Sequence, residues 1–516
     1  MAKDTKAPPI DEAYARYALG LLVVVYVFNF LDRQILSILA ERIKADLGLG
    51  DDQIGFLYGT AFAVFYALFG LPLGRLADVW TRTRLIAIGL GFWSLMTAAS
   101  ALARNFAQLT VARIGVGVGE ASATPAAFSM LSDFFPPAKR ASVLAIYSSG
   151  IYIGAGLGLG VGGLIVERWD AAWVGQMAPF GLKGWQVAFM AVGLPGLLLA
   201  LWVNTLREPI RGQSEGVTVA PPPHPHPFHE FFRELRAVLP PLTILHLILL
   251  GGGAAVVALN LAAAAAIAAL AAALIWWLGS PAQWIALGIG LYAAVSWAQS
   301  LALRDPEAFG AIFLTPTLRY ACLGFALLAF TGYGLGFWMA PFFLRLHGVS
   351  ESSVGLILGG SSAVSGWLGV TLGGVWADRW HRTSRHARLY VGMCTAALPL
   401  PLALWMLLTG STALAFVVAF PLGIFTSLWL GPGASTVQDL VPPRMRAIAS
   451  AAYLLVVTFV GLALGPYTVG RVSVAFGDLR LAMVVALAAN VLALLMFLLA
   501  ARHLVADEAA MRARTG

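Results

Sequence analysis

Runs of about 20 apolar residues, the length a helix needs to cross roughly 30 Å of hydrocarbon, recur from one end of this chain of 516 residues to the other. Each such run must satisfy its own backbone polar groups inside a bilayer, and segment by segment only a helix does that. Charged residues make up 11% of the chain and hydrophobic ones 59%, where a soluble domain carries about 25% charged residues. The expected fold class is an all-α polytopic membrane protein. The polar start MAKDTKAPPIDEAYARYA has no small-residue cleavage site before the first run, so it does not read as a secretory leader. Cys322 and Cys394 lie in apolar segments and define no disulfide framework.

The first six spans are expected at Arg16 to Ala40, Gln53 to Ala77, Leu85 to Ala103, Ala107 to Leu131, Ala141 to Val166 and Trp185 to Leu206. A linker over 207–241 follows. Its prolines forbid regular helix up to Pro227, after which Phe228, Phe231, Phe232, Leu235 and Leu239 form the apolar stripe of a short surface helix. His224, His226 and His229 stand among Pro and Phe without Cys or carboxylate companions, and are read as plain linker with no metal. The apolar stretch from Leu242 to Leu278 is too long for one untilted span at 1.5 Å per residue. It is read as a slanted or interfacial lead-in to a hairpin, Ala255 to Leu278 and Gln283 to Leu303, within an insert over 242–304. Six further spans are expected at Leu318 to Leu344, Ser353 to Ala377, Leu389 to Leu408, Thr412 to Leu430, Ile448 to Val469 and Leu481 to Ala501. The plan is therefore two six-helix bundles, 1–206 and 305–516, with a two-helix insert, about 14 transmembrane helices in all.

With both termini and the linker placed in the cytoplasm, 23 of the 33 Lys and Arg fall on the cytoplasmic side, eight outside, and Arg33 and Arg113 within spans. That is a positive-inside distribution, read here as an integral protein of a bacterial inner membrane. The net charge of +8 is spread over loops; no single basic face exists to meet nucleic acid.

Two sequence signals repeat. GRLADVWTRTR at Gly74 to Arg84 has a counterpart, GVWADRWHRTS, at Gly374 to Ser384. Asp133-x-x-Pro136-Pro137-x-x-Arg140 is matched by Asp439-x-x-Pro442-Pro443-x-x-Arg446. Their order and position show that the two halves are duplicated. With Arg-x-x-x-Gly-x-Gly-x-Ala at Arg113 to Ala121, these motifs resemble the major facilitator superfamily over essentially all twelve core spans. NFLDRQ at Asn29 to Gln34, the block ARIGVGVGEASATPAAFSMLSDFFPPAKR and GFWMAPFFLR resemble its spinster-like subfamily. The resemblance implies transport of sphingolipids, sphingosine phosphate or lysophospholipids, by proton-linked or facilitated movement.

Arg113 and Glu120 are two turns apart on one helix face, about 10 Å along the axis. Ionised groups in hydrocarbon are costly unless they pair or line a cavity, so they mark a functional site by default. Depth along the spans puts Asp32 level with Arg113, whose partner it is expected to be where the first and fourth spans adjoin, as they do in the resembled fold. Glu120 is the expected proton carrier, with Asp32 next. Burial and Arg113 act on its ionisation in opposite senses, so moving Arg113 or admitting water changes its charge. Arg33 is expected to turn away from Asp32, toward neighbouring helix ends or outward. Arg113 is the cation expected to meet an anionic substrate. Asn29, Ser122, Thr124, Tyr147 and Tyr152 are the other candidates in the first half; Tyr333, Trp338, Thr426, Trp429 and Tyr453 are those in the second. Gly332, Gly334 and Gly336 are expected to bend their span beside a cavity. At the cytoplasmic ends Asp78 and Arg82 are expected to meet Asp133 and Arg140, and Asp378 and Arg382 to meet Asp439 and Arg446, as gating networks.

The chain is thus expected to be a monomeric secondary transporter of an amphipathic lipid or another small organic substrate such as a drug or organic anion, drawing on a proton gradient and no cofactor. No Cys-His pair or clustered His set points to an enzyme, and no G-x-x-x-x-G-K-S/T run points to ATP drive. The intramembrane charges are too few and too concentrated in the first half to line a channel.

Overall fold

The computed structural model describes residues 11–215, 217 and 224–515. The first ten residues, which enter the assignment of sidedness, and Pro221 to Pro223 of the linker lie outside them. The first half contains α1 (Glu12–Leu47), α2 (Asp51–Val79), α3 (Arg82–Ser100), α4 (Phe106–Glu120), α5 (Ala123–Phe134), α6 (Pro137–Ala172) and α7 (Gly184–Val203). The linker and insert supply α8 (Pro227–Val238), α9 (Leu242–Leu249), α10 (Ala254–Leu278) and α11 (Pro281–Arg304). The second half contains α12 (Pro316–His347), α13 (Glu351–His381), α14 (Ala387–Leu408), α15 (Thr412–Asp439), α16 (Arg446–Phe476) and α17 (Leu479–Met511). Among the described residues, twelve helices are long and apolar enough to cross a membrane, α10 and α11 among them.

Local chemistry sets several boundaries. Asp11 caps α1 by accepting from Ala13 N, and Gly48 ends it in the left-handed conformation that glycine adopts at little cost. The fourth apolar span is two helices, not one. Its glycine run weakens α4, and Pro125 supplies no N–H to the Ala121 carbonyl, so the helix breaks around Ala121 and Ser122. The glycines also allow close approach. A Cβ on Gly117 would lie 2.5 Å from Phe62 O of α2, and one on Gly119 would lie 2.8 Å from Trp93 Cβ of α3. Small residues here draw the charged helix into the bundle.

The glycines of α6 serve two faces. Gly154 and Gly158 abut Val27 O and Leu31 O of α1, while Gly156 and Gly163 abut Gly359 O and Glu351 O of α13. Helix α6 therefore packs within its own half and across to the other. The seam of α2 and α16 closes in the same manner, Gly55 against Pro466 O and Gly470 against Asp51 O.

Polar bonds that join the halves gather at the end opposite the linker. Arg345 of α12 donates to Asp51 through Nη1 and Nη2, both at 2.7 Å, and to Glu41 through Nε at 2.6 Å. Asp51 also accepts from Ser473 of α16 at 2.7 Å. Arg42 meets Glu351 at 2.7 Å, and Ser352 N donates to Glu167. The halves are sealed here.

Glycines at 251–253, with Gly251 at φ 81°, separate α9 from α10. Helix α10 buries one side chain, Asn260, which bonds Ser296, Gln299 and Tyr292 of α11. In turn α11 packs on α2 and α8, and its Gly290 receives Phe459 of α16 and Val64 of α2. Helix α8 docks against α2 through the pair Trp80–Phe228 and the Arg75–Glu230 bridge.

Candidate functional site

A cavity of about 280 Å³ lies between the halves, walled by α1, α2 and α6 on one side and α12, α13 and α15 on the other. Phe30, Ile151, Leu159, Leu335, Met339, Leu358, Leu422 and Trp429 make most of its surface apolar, while Gln34, Tyr58, Tyr152, Tyr333 and serines of α13 supply polar atoms. Among the described residues its lining contains no charged side chain. Tyr58 OH donates to Gln34 Oε1 at 3.3 Å, and Gln34 Nε2 reaches Gly336 O at 3.4 Å. A polar contact thus spans the halves at the sealed end of the cavity.

Of the candidates from sequence, Tyr152, Tyr333, Thr426 and Trp429 line this cavity. The others do not. Trp338 is fully buried and donates to Pro466 O at 2.8 Å, joining α12 to α16. Tyr147 stacks on Tyr26 with ring centroids 4.4 Å apart, and Thr124 lies beside both. Ser122 donates back to Gly119 O, and Tyr453 packs on Phe325 and Gly433. Gln34, Tyr58, Ser361, Ser362, Ser365 and Ser427 were missed; the run GGSSAVSG in α13 was the available signal, since i and i+4 share a helix face. Nor do the glycines of α12 break it. The helix continues through them, with Gly332 and Gly336 at the cavity wall and Gly334 against Gly465.

The charged cluster lies one layer behind the cavity, with different pairing from that expected. Arg33 turns inward and donates from Nε to Glu120 Oε2 at 2.7 Å. Its guanidinium lies 4.2 Å from the Phe62 ring centroid and 4.8 Å from that of the cavity residue Phe30. Arg113 does not form the expected ion pair with Asp32. It reaches main-chain oxygens instead, Asp32 O at 3.4 Å and Leu57 O at 3.5 Å. The Asp32 carboxylate faces α3, accepting from Thr97 at 3.2 Å with Trp93 near it. Asn29 stands close to Glu120. Asp32 Oδ1, Arg113 Nη2, Glu120 Oε1 and Asn29 Oδ1 have no hydrogen-bond partner among the described residues. Each unmet buried group adds to the energetic cost of the cluster. Arg33 is 11% exposed, whereas its partner Glu120 is 0% exposed.

At the linker end, each ion network stays within its half. Arg82 meets Asp133 at 2.5 Å and Glu208 at 2.7 Å. Arg140 bonds Ser132 O, Ser214 and Glu215 rather than Asp78 or Asp133. Asp78 is exposed, its nearest cation Arg75 at 3.9 Å. In the second half, Asp439 takes Arg388 in place of Arg382, and Arg446 donates to Gln438 O. Asp378 acts on Arg388 through its field alone. Linker residues Glu208, Ser214 and Glu215 occupy basic groups of the first half, and in the second Arg388 lies nearer the acid than Arg382.

The model of the Major Facilitator Superfamily matches residues 22–466. An MFS-type efflux pump of Mycolicibacterium smegmatis is 26% identical over 462 residues, 89% of this chain and 85% of that one. Protein spinster homolog 1 of Bos taurus is 25% identical over 484 residues, 90% of this chain and 74% of that one. The crystal structure of a bacterial homolog of the human lysosomal transporter spinster, inward-facing and unoccupied, superposes with a TM-score of 0.73 at 26% identity, covering 96% of this chain and 99% of that one. The family is defined by transport, not catalysis. The chain belongs to the Major Facilitator Superfamily, as a secondary active transporter of a small organic solute by alternating access, closely related to the spinster-like subfamily.

Proposed function

We propose that the transporter carries an amphipathic lipid, such as a sphingolipid, sphingosine phosphate or lysophospholipid, coupled to proton movement. One observation carries the reading: the cavity between the halves is apolar and uncharged, while a buried ionisable cluster stands behind one wall of it. An apolar tail suits the main lining, and a polar head suits Gln34, Tyr58 and the hydroxyls of α13. Arg33 replaces Arg113 as the cation offered to an anionic head, since its guanidinium lies 4.8 Å from the ring of the cavity residue Phe30. Glu120 carries the proton. When it is ionised it holds Arg33; when it is protonated Arg33 is released toward the substrate, so proton and anion occupancy favour each other. Asp32 keeps the main chain of α1 beside Arg113 and is the alternative acid.

In this reading the linker and both termini are cytoplasmic, the sealed end is external, and the conformation is inward-open. Residues 1–206 and 305–516 are the two six-helix bundles. The insert over 242–304 adds a membrane hairpin, α3 and the pair α4–α5 complete the bundle of the first half, and about 14 spans result. The working unit is a monomer, because one chain supplies both walls of the cavity.

Uptake of a labelled lysophospholipid or sphingosine phosphate into proteoliposomes under an imposed pH gradient tests the proposal. Wild type should respond to the gradient, and Glu120→Gln should bind the lipid yet lose that response. Equal responses exclude Glu120 as the coupling acid; no uptake of either lipid excludes the substrate class. An apolar drug is the second reading, favoured by the same uncharged lining and by the similarity to the mycobacterial efflux pump. A drug that moves when neither lipid does would establish it.

A further inference from the structure

Away from the cavity, three arginines converge where the linker meets the insert. Arg233 and Arg236 come from α8 and Arg304 from the end of α11. Their carboxylate supply is short. Glu230 Oε2 accepts from Arg233 at 2.5 Å but also from Arg75 of α2 at 3.2 Å. Glu234 stands 3.8 Å from Arg304 and 3.9 Å from Arg233, at the limit of an ion pair for both. Arg304 otherwise donates to Ser300 Oγ at 2.7 Å, which lies 3.4 Å from His246 Nε2 of α9. Arg236 forms no hydrogen bond or ion pair among the described residues, and its Nε is buried without a partner. Burial, followed by Arg304, Arg236 and Arg233, presses the His246 imidazole down to about 4. Arg233 and Arg304 share Glu234, Arg233 shares Glu230 with Arg75, and Arg236 has neither, so the corner keeps an excess of positive charge.

Beside this corner are apolar side chains that the described residues leave largely uncovered. Phe228 and Phe232 of α8 and Leu245, Ile248 and Leu249 of α9 are exposed. The neighbouring helices α10 and α11 are apolar enough to cross a bilayer, which sets α8 and α9 at the level where headgroups give way to acyl chains. Cationic side chains above exposed Phe and Leu match the two parts of a membrane lipid. A soluble anion would use the guanidiniums and leave the apolar rim in water.

We propose that Arg233, Arg236 and Arg304 bind the phosphate headgroup of an anionic phospholipid in the leaflet facing the linker, with its acyl chains along the exposed faces of α8 and α9. The bound lipid fastens the linker helix to the insert. It is a structural lipid at a site separate from the transport cavity.

Full-length protein in a neutral detergent is titrated with dioleoylphosphatidylglycerol, dioleoylphosphatidylcholine or glycerol phosphate while thermal unfolding is followed. Phosphatidylglycerol should raise Tm saturably and the other two should not. Arg236→Gln is the cleanest variant because its side chain has no partner to lose among the described residues. Its Tm without lipid should match wild type, while its apparent affinity for phosphatidylglycerol falls about fivefold; adding Arg304→Gln should lower it further. Native mass spectrometry of the same samples counts bound lipid, so a variant of altered stability still gives an answer. An equal effect of phosphatidylcholine, an equal effect of glycerol phosphate, or undiminished phosphatidylglycerol binding by Arg236→Gln would overturn the proposal.

Discussion

Asp32 and Arg33 are adjacent in the chain yet face different neighbours, as roughly 100° of helical rotation per residue requires. Asp32 meets α3 through Thr97, and Arg33 crosses to Glu120 over the Phe62 ring. That Arg113 and Glu120 are interior was legible from two charges two turns apart in an apolar run. Their partners were not, because depth along a span says nothing about which ring or carbonyl lies beside a long guanidinium. The observed pairing has an energetic consequence. Removing one member of a buried pair leaves the other charge uncompensated, at a cost of about 3–5 kcal/mol. Arg33→Ala should therefore destabilise the protein by roughly 3 kcal/mol, near the low end because Arg33 keeps some contact with water. The double variant Arg33→Ala/Glu120→Gln should recover most of that loss. Thermal unfolding in detergent measures the cycle, and strictly additive losses would show that the pair does not act as a unit.

At the scale of helices, glycine was the most informative residue type. In α6 the structure assigns alternate sets of glycines to α1 and α13. The insert was half legible. The glycines at 251–253 divide Leu242 to Leu278 into α9 and α10, as length alone demanded. The docking of α11 on the seam of α2 and α16 was hidden, because an all-round apolar hairpin carries no directional pattern. The contact of α6 with α13 yields a sharp test. A Cβ on Gly359 would lie 2.4 Å from Gly156 O, so Gly359→Leu should hold the sealed end apart. Overpacking costs about 1–3 kcal/mol, enough to raise the population open at that end roughly fivefold or more. A cysteine at Ser37, buried in the seam and bonded to Phe337 O, should then react faster with a membrane-impermeant maleimide. No change in its rate would mean that the helices yield elsewhere and the glycine contact does not control closure.

The whole molecule shows its duplication in repeated loop motifs, but its conformational state is carried by residues that those motifs do not contain. Sequence placed the latch in Asp78, Asp378 and their basic neighbours, whereas the bonds between halves observed here are those of Arg345, Glu41, Asp51, Arg42 and Glu351 at the other end. The two sets are reconciled if each serves one state. Arg345 holds two carboxylates of the first half, one of them through two parallel bonds, the strong geometry for a guanidinium. This contact exists only while the sealed end is closed, so, with that end external as proposed above, removing it lowers the stability of the inward-open state and leaves the outward-open state unaffected. Asp78 and Asp378, which do not join the halves in this state, would have the opposite effect by stabilising the outward-open state. Arg345→Gln and Asp51→Asn should therefore shift the population outward by about tenfold, the equivalent of roughly 1.4 kcal/mol. Asp78→Asn should shift it inward. Paired spin labels across each end read both changes as distance distributions. If Arg345→Gln and Asp78→Asn move the distributions in the same direction, the two ends are not reciprocal gates, and closure is governed by the glycine seams alone.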